Sequence, residues 1–156
     1  SKVLVIYYSR GGNTKKMAEL IADSITKEGA DAELKKVQDT KPQDLLEADA
    51  IIFGSPTYYG TMAAEIKQLL DDSVKFHGKL DGKIGAAFSS SANIAGGNET
   101  TILGILDAML IHGMIIQGDH VGDHYGPVAI GAPDSRTTKE CVRLGQRVAE
   151  LVKKLK

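Results

Sequence analysis

Lys2–Ser9, KVLVIYYS, runs directly into Arg10–Thr14, RGGNT, and the reading of this junction decides the fold. An unbroken β-branched and aromatic run reads as a strand buried on both faces, and the two glycines after Ser9 end it. From Thr14 to Glu28 apolar residues recur at Met17, Leu20, Ile21 and Ile25, the spacing of one helix face, and Gly29 follows as a natural stop. Strand, tight loop and helix make half of a βαβ unit. Working outward, Ala32–Val37 alternates like a strand nearer a sheet edge, and Ala50–Gly54 (AIIFG) reads as a second buried strand. Met62–Leu70 predicts a helix through Met62, Ile66, Leu69 and Leu70, and Lys83–Ser89 another strand. Asn98 is placed to cap a helix running to His112, with Leu103, Leu106 and Leu110 on one side. Met114–Gly118 predicts a fifth strand. Cys141, Leu144, Val148, Leu151, Val152 and Leu155 mark the stripe of a final helix, with Thr137 and Glu140 as its capping box. Five strands alternating with helices imply one α/β domain over 1–156, its five-stranded parallel sheet covered by helices on both faces.

The composition narrows the function classes. A chain of 156 residues can bury roughly 68–70% of the surface its unfolded form exposes, so it builds a core without staples. Lys plus Arg is 19 and Asp plus Glu is 20, a net charge of −1, which argues against a nucleic-acid binder that must neutralise phosphates. A single cysteine excludes a disulfide framework and a cysteine-built zinc site. No stretch reads as a membrane span or secretory signal, so a cytoplasmic location is expected.

In open α/β sheets ligands bind beyond the carboxyl ends of the strands, so the loops leaving the first, third and fourth strands are where chemistry is sought. The first, Ser9, Arg10, Gly11, Gly12, Asn13 and Thr14, runs into a helix whose N-terminal amides and dipole suit a phosphate. It is not a Walker loop, and no GxGxxG occurs, so nucleoside triphosphate hydrolysis and a Rossmann dinucleotide site are disfavoured. The second, Ser55 to Thr61, has Pro56 to stiffen its exit, Thr57, the flat faces of Tyr58 and Tyr59, and Gly60. The third, SSSANIAGGNE from Ser89 to Glu99, has hydroxyl and backbone groups suited to a planar heterocycle. Its candidates are Ser90, Ser91, Ala92, Asn93, Gly96 and Gly97.

Three motifs in this order carry a resemblance: AIIFGSPTYYGTMAAEIKQLLD (Ala50–Asp71), FSSSANIAGGNETT (Phe88–Thr101) and IHGM (Ile111–Met114), behind the opening KVLVIYYS. The chain resembles flavodoxin-like FMN proteins, most closely the WrbA-type NAD(P)H:quinone oxidoreductases. The resemblance implies a three-layer sandwich with strand order 2-1-3-4-5. It implies FMN phosphate held by Ser9 through Thr14 and a flavin ring against Thr57, Tyr58 and Tyr59. Ser90, Ser91, Asn93 and Gly96 would then sit beside the ring and ribityl chain, with His112 as a further flavin-site residue. Tyr59 and His112 become the candidates for a catalytic part at the ring, and NADH or NADPH with a quinone the expected substrates. The chain departs from the WrbA-type pattern in having Gly11 where an aromatic residue is common and Val74–His77 where an indole is common. It also lacks the insertion near Pro42 and is shorter between Gly118 and Gly126, positions that bear on assembly as a homodimer or homotetramer.

Other residues have plainer readings. His120 and His124 stand four apart, but the glycines and Pro127 around them deny the helix that would make that spacing a metal site, and no metal is expected. His124 and Tyr125 are instead expected to rim the substrate side of the pocket. Cys141 lies on an apolar stripe and is expected in the core. A second function remains open beside the enzyme: a flavodoxin shuttling single electrons between redox proteins. The third class, a flavin-free interaction domain, is disfavoured by the intact loops. The near-neutral charge and the uncharged second loop favour the enzyme, because low-potential carriers surround the flavin with acids.

Overall fold

A computed structural model describes residues Ser1–Lys156. β1 (Lys2–Tyr7) lies inside a parallel sheet, between two other strands, because its side chains are apolar on both faces: Val3, Val5 and Tyr7 point one way, Leu4 and Ile6 the other, and all are buried. On one side it pairs with β2 (Asp31–Lys36), from Lys2↔Asp31 to Tyr7↔Lys36; on the other with β3 (Ala50–Pro56), from Val3↔Ala50 to Tyr7↔Gly54. β4 (Ile84–Ser91) pairs with β3, so the order is 2-1-3-4-5, as expected.

Helices cover both faces. α1 (Asn13–Lys27) and α5 (Ser135–Leu155) pack Met17, Ile21, Ile25, Cys141, Val148 and Val152 against one side. α3 (Ala64–Asp72) and α4 (Asn98–Ile111) pack Ile66, Leu69, Ile102, Ile105 and Met109 against the other, with the short α2 (Asp44–Glu47) adding Leu45. Each fully buried aliphatic side chain stabilises the fold by roughly 1.5–3 kcal/mol. No helix is long and apolar enough to cross a membrane.

The fifth position of the sheet differs from the expected Met114–Gly118 strand. It holds two short strands, β5 (Ile115–Ile116) beside Ile84–Gly85 and β6 (Val128–Ile130) beside Ser89–Ser91, so the sheet has six strands. Between them the chain leaves the sheet because its charges are claimed by α5. Asp119 accepts from Arg143 at 2.7 and 2.9 Å and lies 3.2 Å from Arg147, and Asp123 accepts from Arg136 at 2.8 Å.

Two caps also differ. Asp134, not a Thr137–Glu140 box, caps α5 by accepting from the Thr137 amide at 2.8 Å. Gly97, at φ +105, stands at the cap position of α4, while Asn98 is inside the helix and donates through Nδ2 to Ser91 Oγ. The buried stripe of α4 is Ile102, Ile105, Leu106 and Met109; Leu103 and Leu110 face outward, as does Leu155 at the end of α5.

Candidate functional site at the carboxyl ends of β1, β3 and β4

The loop from Ser9 to Thr14 connects a buried strand to a helix in five steps, which Gly12 makes possible by adopting φ +100. Ser9 Oγ accepts from the Gly12 amide at 3.0 Å and fixes the turn. The amides of Gly11, Asn13, Thr14 and Lys15 have no protein acceptor, and a Cβ built on Gly11 or Gly12 meets nothing within 4 Å. A row of free N–H groups at the positive end of a helix is the donor set that an anion satisfies. Thr14 is buried, and its Oγ1 stands 2.9 Å from Ser90 Oγ, so the first loop is tied to the third.

The second loop is held by hydroxyls. Ser55 Oγ accepts from the Ala63 amide at 2.8 Å, Thr57 N donates to Ser90 O at 2.7 Å, and Thr57 Oγ1 lies 3.0 Å from Ser89 Oγ and 3.1 Å from Thr101 Oγ1. Tyr58 and Thr61 exchange both backbone hydrogen bonds, at 2.9 and 3.2 Å. Tyr59 (φ +49) and Gly60 (φ +81) fill the turn between them, the positive angles of a type I′ turn. The Tyr59 ring consequently projects fully into solvent. Tyr58 is half-buried, edge-on to Tyr8, and the Arg10 guanidinium sits 5.6 Å from its ring centroid. Burial raises the Tyr58 phenol above its ordinary pKa, and the Arg10 charge opposes that shift.

The third loop turns at Asn93–Gly96, where Gly96 N donates to Asn93 O, and Ala95 takes φ +52. Ser91 Oγ donates to Asn93 O at 2.9 Å. The second and third loops touch through glycine: a Cβ on Gly97 would stand 2.8 Å from the Gly60 Cα. Thr100 Oγ1 locks the contact by donating to Gly60 O at 2.6 Å.

The structure therefore brings Ser9–Thr14, Pro56–Gly60 and Ser90–Gly97 to one end of the sheet. It does not bring His112 there. His112 ends α4 at the opposite end from the loops, because the 14 residues of that helix advance about 21 Å away from Gly97. There its Nε2 donates to Ser73 Oγ at 2.7 Å, since the Ser73 hydroxyl proton goes to Leu70 O; Nδ1 is buried without a partner. His124 and Tyr125 are not at the rim either. They share a crevice with Ala86, Leu106 and Ile116 beside the outer edge of β4, carried there by the excursion that Arg136, Arg143 and Arg147 hold. Cys141 is fully buried, and burial pushes its thiol up to about 12, which suits core packing. Sequence reasoning left out Ser55 and the trio Thr57, Ser89 and Thr101 as one hydroxyl cluster. Thr101 stands four residues after Gly97, a first-turn position that could have drawn attention to it.

Comparison with known proteins gives the family. Residues 4–102 match the model of the flavodoxin domain. The chain belongs to the flavodoxin family. Across 97% of its length it is 45% identical to a protein named flavodoxin from Aquifex aeolicus, of which it covers 86%. It is 34% identical to an NAD(P)H dehydrogenase (quinone) from Archaeoglobus fulgidus, with 99% of both chains covered. A solved flavodoxin, WrbA-like protein from Agrobacterium tumefaciens superposes with a TM-score of 0.85 at 28% identity, covering 100% of this chain and 99% of that one. Membership of the flavodoxin family implies FMN. The residues present fit it: the free amides of the first loop suit a terminal phosphate, and the hydroxyl and backbone groups of the adjoining second and third loops suit a polar planar ring.

Proposed function

We propose that the protein is an FMN-dependent oxidoreductase that passes electrons from NAD(P)H to a quinone-type acceptor. When bound, FMN supplies the redox chemistry, taking electrons from the donor and handing them to the acceptor. The amides of Gly11, Asn13, Thr14 and Lys15, with the Thr14 and Ser90 hydroxyls, hold the phosphate. Tyr58, Tyr59 and the Ser91–Gly97 turn would border the ring.

The observation that carries this reading is the charge around the loops. Glu99 is the one acid within them, Asp119 and Asp123 are turned toward the arginines of α5, and Arg10 lies over Tyr58. At Tyr58 the Arg10 charge acts more strongly than that of Glu65, and a positive field there would stabilise negative charge on a bound ring and so favour transfer of electrons in pairs. The full-length similarity to a protein named NAD(P)H dehydrogenase (quinone) supports the same reading. The 45% identity to a protein named flavodoxin supports a second, a one-electron carrier between redox proteins.

One experiment separates them. The FMN-loaded protein is mixed with NADH or NADPH and a benzoquinone, and is photoreduced separately while its spectrum is recorded. Nucleotide oxidation with turnover, and bleaching in one step, are expected of the enzyme. No nucleotide oxidation, together with stoichiometric long-wavelength absorbance during photoreduction, would establish the carrier.

A further inference from the structure

The first loop has two faces. The inner one, with Thr14 and Ser90, belongs to the site described above. On the side of the loop toward β2 lies a cavity of about 320 Å³ lined by Arg10, Gly11, Gly12, Lys15, Lys36 and Gln38, together with Tyr7 and Ser9. Its side-chain charges are all positive. Arg10 and Lys36 form no ion pair, and Lys15 reaches only Glu19, at 3.9 Å with both groups half exposed, a contact of little strength. Glu19 and Asp39 are near enough for their fields to act on the Tyr7 phenol, but neither lines the cavity.

We propose, building on the nicotinamide-dependent reading above, that this cavity takes the ribose 2′-phosphate of the donor and makes NADPH preferred over NADH. Two lysines and an arginine around one hollow suit a phosphate dianion: the ammonium groups act as point charges and the guanidinium as a planar fork. A site selecting an unphosphorylated ribose would present a carboxylate to accept from its 2′-hydroxyl, and no Asp or Glu lines this one. The geometry joins the two faces of the loop. Arg10 reaches from the cavity to the Tyr58 ring, and Gly11 and Gly12 place no side chain in the way of a dinucleotide lying across them. With its nicotinamide at the ring side, such a ligand carries its adenosine end over the glycines to Lys15 and Lys36.

The test uses the FMN-loaded protein and two probes, adenosine 2′,5′-bisphosphate and 5′-AMP, in equilibrium binding, followed by kcat/KM with NADPH and NADH. The bisphosphate is expected to bind at least about tenfold tighter than 5′-AMP, the scale of a hydrogen bond to a charged group. Lys36→Glu should abolish that preference and Gln38→Glu should reduce it, while FMN affinity stays unchanged. Lys16→Glu, an equal charge change outside the cavity, should keep it. Equal binding of the two probes, or a preference that survives both cavity variants, would overturn the proposal. Loss of FMN by Lys36→Glu would overturn it too, by assigning the cavity to the FMN phosphate. Selective bisphosphate binding without oxidation of either nucleotide would uphold the phosphate site and defeat the enzymatic reading instead.

Discussion

Thr14 Oγ1 and Ser90 Oγ lie 2.9 Å apart although 76 residues separate them, and this buried contact joins the helix that follows the first loop to the strand that leads into the third. Thr14→Val is expected to weaken FMN binding by about 1.5–3 kcal/mol, the scale of a hydrogen bond to a charged group. Ser90→Ala should weaken it less, because the Thr14 hydroxyl remains for the phosphate. Fluorescence titration of the apoprotein measures both; equal affinity in Thr14→Val and wild type would place the phosphate elsewhere.

Tyr59 combines a left-handed backbone with a fully exposed ring, so the two roles can be separated. Tyr59→Gly removes the backbone strain, which offsets the added chain entropy, and should leave the thermal midpoint within a few degrees of wild type. It should still loosen FMN by about 1 kcal/mol and relieve quenching of flavin fluorescence, because the aromatic face is gone. Unaltered affinity and fluorescence would remove the ring from the cofactor site.

Gly54 pairs in register with Phe88, and the Phe88 ring lies over its Cα; an added Cβ would stand 2.0–2.6 Å from three ring atoms. Gly54→Ala should therefore cost about 1–3 kcal/mol in urea unfolding through overpacking. In combination with Phe88→Leu the loss should be smaller than the sum of the single losses. Additive effects would mean that the two residues do not share this space.

His112 is held neutral, its pKa lowered by burial and then by His77, with Lys67, Asp71 and Asp107 the other ionisable groups around it. In the unfolded chain it titrates near the ordinary 6.5. Below that pH the unfolded state binds more protons than the folded one, so stability contributed here is present at neutral pH and lost on acidification. His112→Gln should flatten that loss between about pH 7.5 and pH 5.5, read as urea midpoints. A slope identical to wild type would show that His112 is not the group responsible.

The order of the sheet was legible because Leu4, Ile6, Ile51, Ile52 and Phe53 form runs that only a strand buried on both faces accommodates. The three loops were legible because Gly12, Gly60 and Gly97 punctuate strand ends. The split fifth strand was not, since what breaks it is the pairing of Asp119 and Asp123 with arginines up to 28 residues later. The place of His112 was hidden for a related reason: a motif fixes its neighbours along the chain, while the length of α4 carries it to the far end. Asn98 looked like a cap, yet Gly97, free to take φ +105, ended the loop first.

The interrupted fifth position also bears on how the molecule keeps to itself. An open sheet invites a foreign strand to add along its last edge, and β4, with apolar residues through its centre, would be a ready template. That edge is broken into segments of two and three residues, and between them Gly126 lies so close to Ala87 O that a methyl group there would clash with it. No continuous ladder is left for another chain to copy, so the Gln117–Pro127 excursion doubles as a guard against edge-to-edge polymerisation.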